Sequence, residues 1–159
     1  MKIPAGRTVK VKYPYSSQYT AGGDKALVNS LRGGRDFTTG NWQGYYGVDL
    51  DAIIDMGKAE RIRKIGAGFL QNQNSWIFMP EWVKFEVSKD GKDFQEAGKI
   101  RNDIDEHANG GIIKDFTVTF PEQKVRYIHI VAKNRGQCPA WHKGAGNPAW
   151  IFVDEVWWE

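Results

Sequence analysis

The sequence of 159 residues predicts an all-β sandwich. Short segments alternate apolar and polar residues with a period of two, which is typical of strands that bury one face. Turn residues separate these segments at fairly even spacing, and Asp90-Gly91 is a strong hairpin signal. No segment carries a convincing amphipathic helix. Seven or eight strands of this kind make two packed sheets the economical fold.

The first nineteen residues are expected to be a linker or N-terminal extension, so that the domain covers residues 20–159. Their only alternating segment is Val9 to Tyr13, and the polar stretch SSQYTAGGDK follows it. The next stretch, ALVNSLRGGRDFTTGNWQGYYG, is too rich in Gly, Asn and Thr for a helix. It is expected to be an ordered loop that ends in an aromatic cluster, Trp42, Tyr45 and Tyr46.

The first strand of the domain is predicted from Val48 to Met56. Its even-numbered positions are apolar and most of its odd-numbered positions are aspartate, so one face is expected to be buried. Gly57 is predicted to end this strand. The following segment, Ile62 to Leu70, is expected to be a buried strand in which Gly66 and Gly68 contribute no side chain.

The remaining strands are predicted at 83–87, 94–100, 116–120, 125–133 and 151–158. A polar crossover, RNDIDEHANGG, separates the second of these strands from the third, and Pro121 closes the third. Apolar residues at period-two positions form the predicted core, and each contributes about 1.5 to 3 kcal/mol when it is buried. They are Val83, Phe85, Val87, Phe116, Val118, Phe120, Ile128, Ile130 and Val153.

Composition indicates one globular domain with a surplus of aromatic residues. Apolar residues make up 41% and charged residues 26%, as in soluble domains, whereas seven tryptophans bring the aromatic share to 13%. The net charge of +3 comes without a dense Lys/Arg block, so nucleic acid is the least expected partner. The single cysteine, Cys138, cannot form an internal disulfide and is expected to be a small packing residue rather than a nucleophile.

The sequence contains no run of 18 apolar residues, and its start, MKIPAGRTVKVKY, lacks the apolar segment of a signal peptide. The chain is therefore expected to be either cytoplasmic or a fragment of a longer secreted protein. Both origins stay open at the level of the sequence.

The stretch from Asn134 to Trp150, NRGQCPAWHKGAGNPAW, is predicted to be a functional loop. Connections longer than about 12 to 15 residues without secondary structure are uncommon in compact domains and are usually binding loops or disordered. Disorder fits poorly, because Trp141 and Trp150 stand among Gly and Pro residues that fix the backbone path. In the alternative interpretation both tryptophans cap the core and the Gly and Pro residues only turn the chain.

The sequence carries no recognisable catalytic constellation. The three histidines are dispersed: His107 lies in the polar crossover, His129 is expected to be a hydrogen-bonded core residue, and His142 lies in the long loop. Asp154 and Glu155 are neighbours on a predicted strand, so their side chains are expected to point to opposite faces and not to form the carboxylate pair of a glycosidase. A non-catalytic binding module fits these observations better than an enzyme.

Two loops are predicted to form a sugar-binding site at one end of the sandwich. If the strands from Ile62 and from Val125 run in the same direction, the loops that follow them lie together. Sugars present apolar C–H faces and a rim of hydroxyls, which aromatic rings and amide, Arg or His groups can bind. Trp141 beside His142 is expected to be exposed, whereas Trp76 could equally lie under the sandwich. The candidate ligand-binding residues are Gln71, Asn74, Trp76, Asn134, Arg135, Trp141 and His142, with Trp42 as an additional wall.

Four segments support a family resemblance: WQGYYGVDLDAIIDMGKAERIRKIGAGFLQ, VKFEVSKDGKDF, VRYIHIVAKN and IFVDEVW. In this order they resemble the discoidin, or coagulation factor five/eight type C, domain over roughly residues 20–159. The stretches GFLQNQNSWIF and WHKGAG are more specific. They resemble the family 32 carbohydrate-binding modules at the C-termini of bacterial β-hexosaminidases, or chitobiases.

The resemblance implies an eight-stranded, galactose-binding-like jelly-roll sandwich that binds the terminal galactose or N-acetylhexosamine residue of a glycan on its loops. It also implies that the module is non-catalytic and accompanies the catalytic domain of the same parent chain, a glycoside hydrolase of the β-hexosaminidase type. Such a parent is expected to be periplasmic, displayed on the cell surface or secreted. The module itself is expected to be a monomer.

The resemblance further implies one structural Ca²⁺ on the loop from Lys25 to Trp42, with Asn29, Asp36 and Glu155 as candidate ligands. Glu155 matches the glutamate that the family places on its last strand. Asn29-Ser30 stands where the family has Asp-Gly, which removes one anionic ligand from a cation that prefers several oxygens and some negative charge. Asp36 is expected to compensate, although its spacing departs from the family pattern.

Two alternative functions stay open at this point. A membrane-surface discoidin domain would insert exposed Trp76, Phe78 and Trp141 into lipid, with nearby Lys and Arg on the phosphates. A protein-interaction domain would present an apolar patch larger than a monosaccharide.

Overall fold

The computed structural model describes residues 6–159 and confirms an all-β sandwich. Three single-turn 3₁₀ helices, Ala26–Val28, Phe37–Thr39 and Gln73–Ser75, interrupt the loops. No helix within residues 6–159 is long and apolar enough to cross a membrane. The strands are β1 (Thr8–Val11), β2 (Gln43–Tyr46), β3 (Leu50–Gln71), β4 (Trp82–Ser88), β5 (Gln95–Arg101), β6 (Ile112–Ala132) and β7 (Trp150–Trp158).

Strands β3 and β6 are long enough to contribute to both layers of the sandwich. The first half of β3 and the second half of β6 form one layer with β1, β4 and β5, because Leu50 pairs with Ala132 and Val83 pairs with the same residue. Their other halves form the second layer with β2 and β7. All pairs of named strands are antiparallel, and the apolar core lies between the layers.

The structure corrects two predicted strand ends. Gly57 and Pro121 were expected to end strands, yet β3 and β6 continue through both positions. The ladder between these strands shifts register between Asp55 and Glu60, and Gly57 adopts a φ of 88° there. An irregularity of this kind bends a strand without ending its pairing. The predicted strands 48–56 and 62–70 are therefore one continuous strand, as are 116–120 and 125–133, and both turn from one layer into the other. Residues 43–46, predicted to lie in a loop, form β2, so that residues 6–159 contain seven strands.

The predicted core is confirmed at all but one position. Eight of the nine predicted residues are buried, and Phe120 is partly buried against the same cluster. Inward-facing residues are two apart along β4, from Val83 to Val87, and along two segments of β6, from Phe116 to Phe120 and from Ile128 to Ala132.

The domain begins earlier than the sequence predicted. Strand β1 pairs with β3, and Val9, Val11 and Tyr15 pack against the main core. The expected linker at 1–19 is therefore part of the sandwich from Thr8 onward, whereas residues 1–5 lie outside the described part of the chain.

Candidate functional site

Three loops converge at the end of the sandwich where β3 and β6 both finish: 72–81, 102–111 and 133–149. The last residue of β3, Gln71, pairs with the first residue of β6, Ile112, so the loop after β3 adjoins the loop before β6. The long loop reaches both, because His142 bonds to the Gln73 carbonyl and Trp141 bonds to Glu106. The predicted meeting of the loops after β3 and β6 is confirmed.

Asn134 ties the two ends of the long loop together and is not free to bind a ligand. Its amide nitrogen donates to the carbonyl oxygens of Val48 and Ala149 at 3.1 and 3.0 Å, and its amide oxygen accepts from the Gly136 backbone at 2.7 Å. Because the side chain is 3% exposed and these bonds occupy it, its predicted role as a sugar partner is wrong. Asn134 instead fixes where the loop leaves the sandwich.

His142, predicted as a hydrogen-bond partner of the sugar, is buried inside the long loop. Its Nδ1 accepts from the backbone N–H of Gly144 at 2.9 Å, and its Nε2 lies 2.6 Å from the carbonyl oxygen of Gln73. The tautomer with hydrogen on Nε2 satisfies both bonds. Both ring nitrogens are therefore occupied, and His142 joins two loops rather than contacting solvent.

Gln71 is a positioning residue of the same kind. Its side chain is buried, and its Nε2 donates to the carbonyl oxygen of Asp105 at 2.9 Å. Its Oε1 accepts from the backbone of Met79 at 3.3 Å. Gln71 thereby holds the crossover loop 102–111 beside the loop after β3, and no group of its side chain is left for the predicted contact with sugar.

Trp141 is the aromatic residue that these loops leave exposed, as predicted. It is 41% exposed, and its Nε1 donates to Glu106 Oε1 at 2.8 Å. The other oxygen of Glu106 accepts from Arg135 Nη1 at 2.6 Å. The hydrogen bonds from Arg135 and then Trp141 lower the pKa of Glu106, so the carboxylate is charged at neutral pH. The indole is therefore fixed in place while much of its surface faces solvent.

His107 lies flat on Trp141. The two ring centroids are 4.1 Å apart and the rings are inclined by 21°. The imidazole Nδ1 is 3.1 Å from the carboxylate of Asp105, which also accepts from the His107 backbone at 2.9 Å. Arg135 bonds in turn through its Nε to the carbonyl oxygen of Gln137. The exposed surface thus combines an indole, an imidazole, a guanidinium and two carboxylates.

The loop after β3 supplies one open side chain and one half-buried aromatic ring. Asn74 is exposed and directly follows Gln73, whose carbonyl bonds to His142. Trp76 is half-buried, because a left-handed φ of 65° turns it against Gly144, where any Cβ would overlap its ring. Phe78 is 2% exposed. Of the three predicted membrane-inserting residues only Trp141 is therefore well exposed.

Trp42, predicted as an extra wall of the site, is a core residue of another region. It is 1% exposed, its Nε1 donates to the carbonyl oxygen of Gly34 at 2.7 Å, and its ring lies over Gly33. It belongs to an apolar cluster with Leu70, Ile77 and Phe152. The loop from 25 to 42 thus uses its tryptophan to pack on the second layer of the sandwich.

Asp154 and Glu155 do not point to opposite faces as predicted. The register between β3 and β7 shifts near them, and both side chains are buried against the same loop. Asp154 Oδ2 accepts from Arg32 Nε at 2.8 Å and from the backbone of Gly33 at 3.0 Å. Glu155 Oε2 accepts from the backbone of Ser30 at 2.9 Å. The two carboxylates close a loop and do not flank a cleft.

The residues around Glu155 do not fit the calcium site that the resemblance implies. Within residues 6–159 no group of three or more His, Cys, Asp or Glu side chains could hold a metal ion. Asn29 and Asp36 direct their side-chain oxygens to the backbones of Leu31 and Thr38. Glu155 Oε1 is buried without a partner, but the cavity that Glu155 lines is also lined by Arg7 and Trp157.

Charge at this loop also disfavours a divalent cation. Burial raises the pKa of Glu155 to about 8. The indole Nε1–H of Trp157 is a second buried group without a partner, and it is a donor that cannot ligate a cation. Arg32 supplies positive charge at this loop and bonds to both Asp154 and Asp115.

His129 and Cys138, the two other residues discussed from the sequence, do not lie among the exposed groups of the candidate site. His129 is not in the core: it lies half-buried on a sheet surface, 2.7 Å from both Asp51 and Glu86, and Phe94 packs against it. Cys138 is a packing residue, as predicted. Burial raises the pKa of its thiol, which disfavours the reactive thiolate.

Sequence reasoning missed Glu106 and His107, which were assigned to a passive crossover. Their loop precedes β6, and the pairing of Gln71 with Ile112 brings it beside the loop after β3. A signal for this existed in the length and polarity of RNDIDEHANGG, which contains a carboxylate and an imidazole side by side. Its use required the pairing of β3 with β6, which no local pattern specifies.

Comparison with known families gives one match. The family model described as F5/8 type C domain matches residues 12–150 of the chain. No curated protein sequence shows a significant match.

Several solved structures are similar to the chain. A CBM32 domain of Clostridium perfringens GH89, solved in complex with GalNAc-β-1,3-galactose, has a TM-score of 0.57 and 14% identity, covering 95% of this chain and 93% of its own. A CBM32 domain from a family 31 glycoside hydrolase of the same organism has a TM-score of 0.58 and 21% identity, covering 97% and 94%. The C-terminal domain of a Bacteroides fragilis chitobiase has a TM-score of 0.52 and 18% identity, covering 96% and 93%. At these identities the likeness concerns the fold.

Proposed function

Because the chain belongs to the F5/8 type C domain family, we propose that it is a non-catalytic carbohydrate-binding module that takes the terminal galactose or N-acetylhexosamine residue of a glycan on Trp141. The observation that carries this proposal is the indole of Trp141, which is fixed by Glu106 and remains 41% exposed at the meeting point of three loops. An aromatic ring that is rigid and exposed suits the apolar face of a sugar ring.

Polar groups around the indole suit the hydroxyls of the sugar. Arg135 and Glu106 form a charged pair at the edge of Trp141, and Asn74 is exposed on the adjoining loop. Arg135 and Glu106 keep further hydrogen-bonding capacity after their mutual bond, because a guanidinium has five N–H donors and a carboxylate about four acceptor sites. The ligand contacts are therefore assigned to Trp141, Arg135, Glu106 and Asn74, while His142, Asn134 and Gln71 position the loops.

The proposed affinity for a monosaccharide is weak. A monosaccharide has about a dozen heavy atoms, and about 0.3 to 0.4 kcal/mol per atom gives roughly 4 to 5 kcal/mol, near millimolar. Retention on a polysaccharide then depends on tethering to a catalytic domain or on several modules acting together.

The proposed parent is a secreted, periplasmic or surface-displayed glycoside hydrolase of the β-hexosaminidase type. The resemblance of GFLQNQNSWIF and WHKGAG to chitobiase modules and the likeness to a chitobiase C-terminal domain support it.

A glycan array followed by titration of the wild type and Trp141→Ala tests the proposal. We expect binding to galactosides or N-acetylhexosaminides in the wild type and at least a tenfold loss, about 1.4 kcal/mol, in the variant. Trp158→Ala is the matched control, because this partly exposed tryptophan lies at the opposite end of β7. It should bind like the wild type, with circular dichroism confirming that each variant is folded.

Liposome sedimentation supplies the contrasting outcome. With Trp76 half-buried and Phe78 buried, the protein should not sediment with vesicles of phosphatidylserine and phosphatidylcholine. Binding to vesicles that Trp141→Ala abolishes, together with no binding on the array, would replace the carbohydrate function by a membrane function.

A further inference from the structure

We propose that His107 is a removable cover on the Trp141 platform, so that the protein's own imidazole competes with the sugar and does so more strongly when it is protonated. This inference rests on the proposed function, since it concerns the regulation of the same site. Its basis is the face-to-face stack of His107 on Trp141, with centroids 4.1 Å apart.

The stack occupies the kind of surface that a sugar needs. A sugar ring binds an indole by lying flat on one of its faces in van der Waals contact, about 4 Å away. The imidazole lies at that distance and is inclined by only 21°, so a sugar and His107 cannot share this face of Trp141. A ligand that stacks there must first displace the imidazole.

The imidazole is held less firmly than the indole beneath it. The His107 side chain is 60% exposed and its one polar partner, Asp105, is 72% exposed, so their 3.1 Å contact is screened by water. Trp141 is fixed at its ring edge, where its Nε1 donates to Glu106, and Arg135 holds Glu106 in turn. Of the two stacked rings, His107 is therefore the one that can rotate away at small cost.

Charge makes the cover sensitive to pH. Histidine changes its charge between pH 5 and 8, and an imidazolium over an indole face gains a cation–π attraction that a neutral imidazole lacks. The charged groups that face His107 are Asp105 and Glu106 on its own loop and Arg135 on the long loop. The two carboxylates attract an imidazolium at this position, whereas the guanidinium, already paired with Glu106, repels it.

A cover lowers apparent affinity by the fraction of molecules in which the platform is open. Removing it should raise affinity, and protonating it should lower affinity. We therefore expect the wild type to bind about threefold more weakly at pH 5.5 than at pH 7.5. His107→Ala should bind about three- to tenfold more tightly than the wild type at pH 5.5 and should show no such pH dependence. His107→Phe, which keeps a flat cover without a charge, should bind weakly at both pH values.

Nuclear magnetic resonance titrations with methyl β-galactoside, N-acetylgalactosamine and N-acetylglucosamine test these expectations for the three proteins. Weaker binding by His107→Ala would make His107 a contact of the sugar, and an unchanged pH dependence in that variant would place the titrating group elsewhere. Either result overturns the cover. Equal binding by the wild type and His107→Ala overturns it as well.

A measurement without ligand separates this inference from the proposed function. The ring current of Trp141 should move the His107 ring protons upfield, and Trp141→Ala should abolish that displacement. Absence of the displacement overturns the cover while leaving the sugar site intact. If the displacement is present and neither the wild type nor the two His107 variants bind any sugar, the proposed function fails and the competition fails with it.

Discussion

The loops 25–42 and 133–149 look alike in sequence and behave differently in the fold. Both are long, contain several glycines and carry a tryptophan that was predicted to contact sugar. Loop 25–42 buries Trp42 and bonds its Nε1 to a carbonyl of the same loop. Loop 133–149 exposes Trp141 and bonds its Nε1 to Glu106 of another loop.

The difference follows from what each loop has beneath it. Loop 25–42 lies along the second layer of the sandwich, where Phe152 and Leu70 pack with Trp42 and the buried carboxylate of Asp154 accepts from Arg32. Loop 133–149 extends from the end of the layers, where Trp141 bonds to Glu106 and His142 bonds to the carbonyl oxygen of Gln73. An aromatic residue in a Gly-rich loop therefore becomes a core residue over a sheet face and an exposed platform beyond the sheet end.

Replacing Arg32 in loop 25–42 should have the largest effect on the stability of the protein. Arg32→Gln leaves Asp154, whose side chain is fully buried, without its charged partner. Breaking a buried pair from one side costs about 3 to 5 kcal/mol, and the 44% exposure of the Arg32 side chain favours the lower end, about 3 kcal/mol. Urea denaturation measures the loss.

Arg61→Gln is the matched control for the Arg32 experiment. Arg61 pairs with Glu122, and both side chains are more than half exposed, at 65% and 53%. Its loss should cost less than about 0.5 kcal/mol. Equal effects of the two substitutions would show that Arg32 does not close loop 25–42.

Replacing the buried His142 should destabilise loop 133–149. His142→Ala leaves the Gln73 carbonyl and the Gly144 N–H without their partner, which should cost about 2 to 3 kcal/mol. Binding should also weaken, because Trp141 is anchored next to the lost ring. His107→Ala, at an exposed histidine of the same site, should leave the free energy of unfolding within about 0.5 kcal/mol of the wild type. Similar losses in both variants would contradict the division between positioning and surface residues.

Glu155→Gln, which affects the contact with Ser30 of loop 25–42, should raise the free energy of unfolding in a pH-dependent way. Burial raises the pKa of Glu155 to about 8, above the value of about 4.3 in an unfolded chain. The stability linked to its proton is therefore fully present below about pH 4 and is lost as the pH rises through about 8. Glutamine resembles the protonated form and still accepts from Ser30.

The expected gain from Glu155→Gln is about 2 kcal/mol at pH 8.5, since even half of the pKa shift amounts to that, and nothing at pH 4. Urea denaturation at both pH values measures it. The exposed Glu122→Gln should show no difference between them. A gain that is equal at both pH values would mean that the Glu155 proton is not the cause.

Strand pattern was readable from the sequence because alternation is local. The inward residues follow a period of two in β4 and in the segments 116–120 and 128–132 of β6, and burial repeats this period. The continuity of β3 through Gly57 was not readable, because a bend and a turn use the same residue type. Trp141 and Asn74 were placed correctly in exposed loops.

Other candidate ligand residues failed for a chemical reason. Amide and imidazole groups that bind sugar are the same groups that satisfy buried backbone, and Gln71, Asn134 and His142 do the latter. Nothing in a single sequence separates the two uses. Glu106 was missed because its position depends on the long-range pairing of β3 with β6.

The smallest expected effect concerns the addition of calcium at loop 25–42. Asp154 is already bonded to Arg32, and Glu155 lies beside the donor N–H of Trp157, so the wild type should show no change in melting temperature with calcium or with a chelator. Elemental analysis should find no stoichiometric calcium. A rise of several degrees with calcium would contradict the finding that the residues around Glu155 do not fit a calcium ion.

A gain-of-function variant sharpens this comparison. The triple change Asn29→Asp, Ser30→Gly and Arg32→Gln restores the Asp-Gly pattern that the family resemblance implies and removes the competing guanidinium. Glycine at position 30 also suits the left-handed backbone there, where φ is 67°. This variant should be less stable than the wild type without metal and should regain stability on addition of calcium, because a carboxylate at position 29 then joins those of Asp154 and Glu155 at the loop. The triple variant could stay insensitive to calcium while Arg32→Gln alone is destabilised. In that case the conformation of loop 25–42 depends on the geometry of the guanidinium and not merely on the presence of a positive charge.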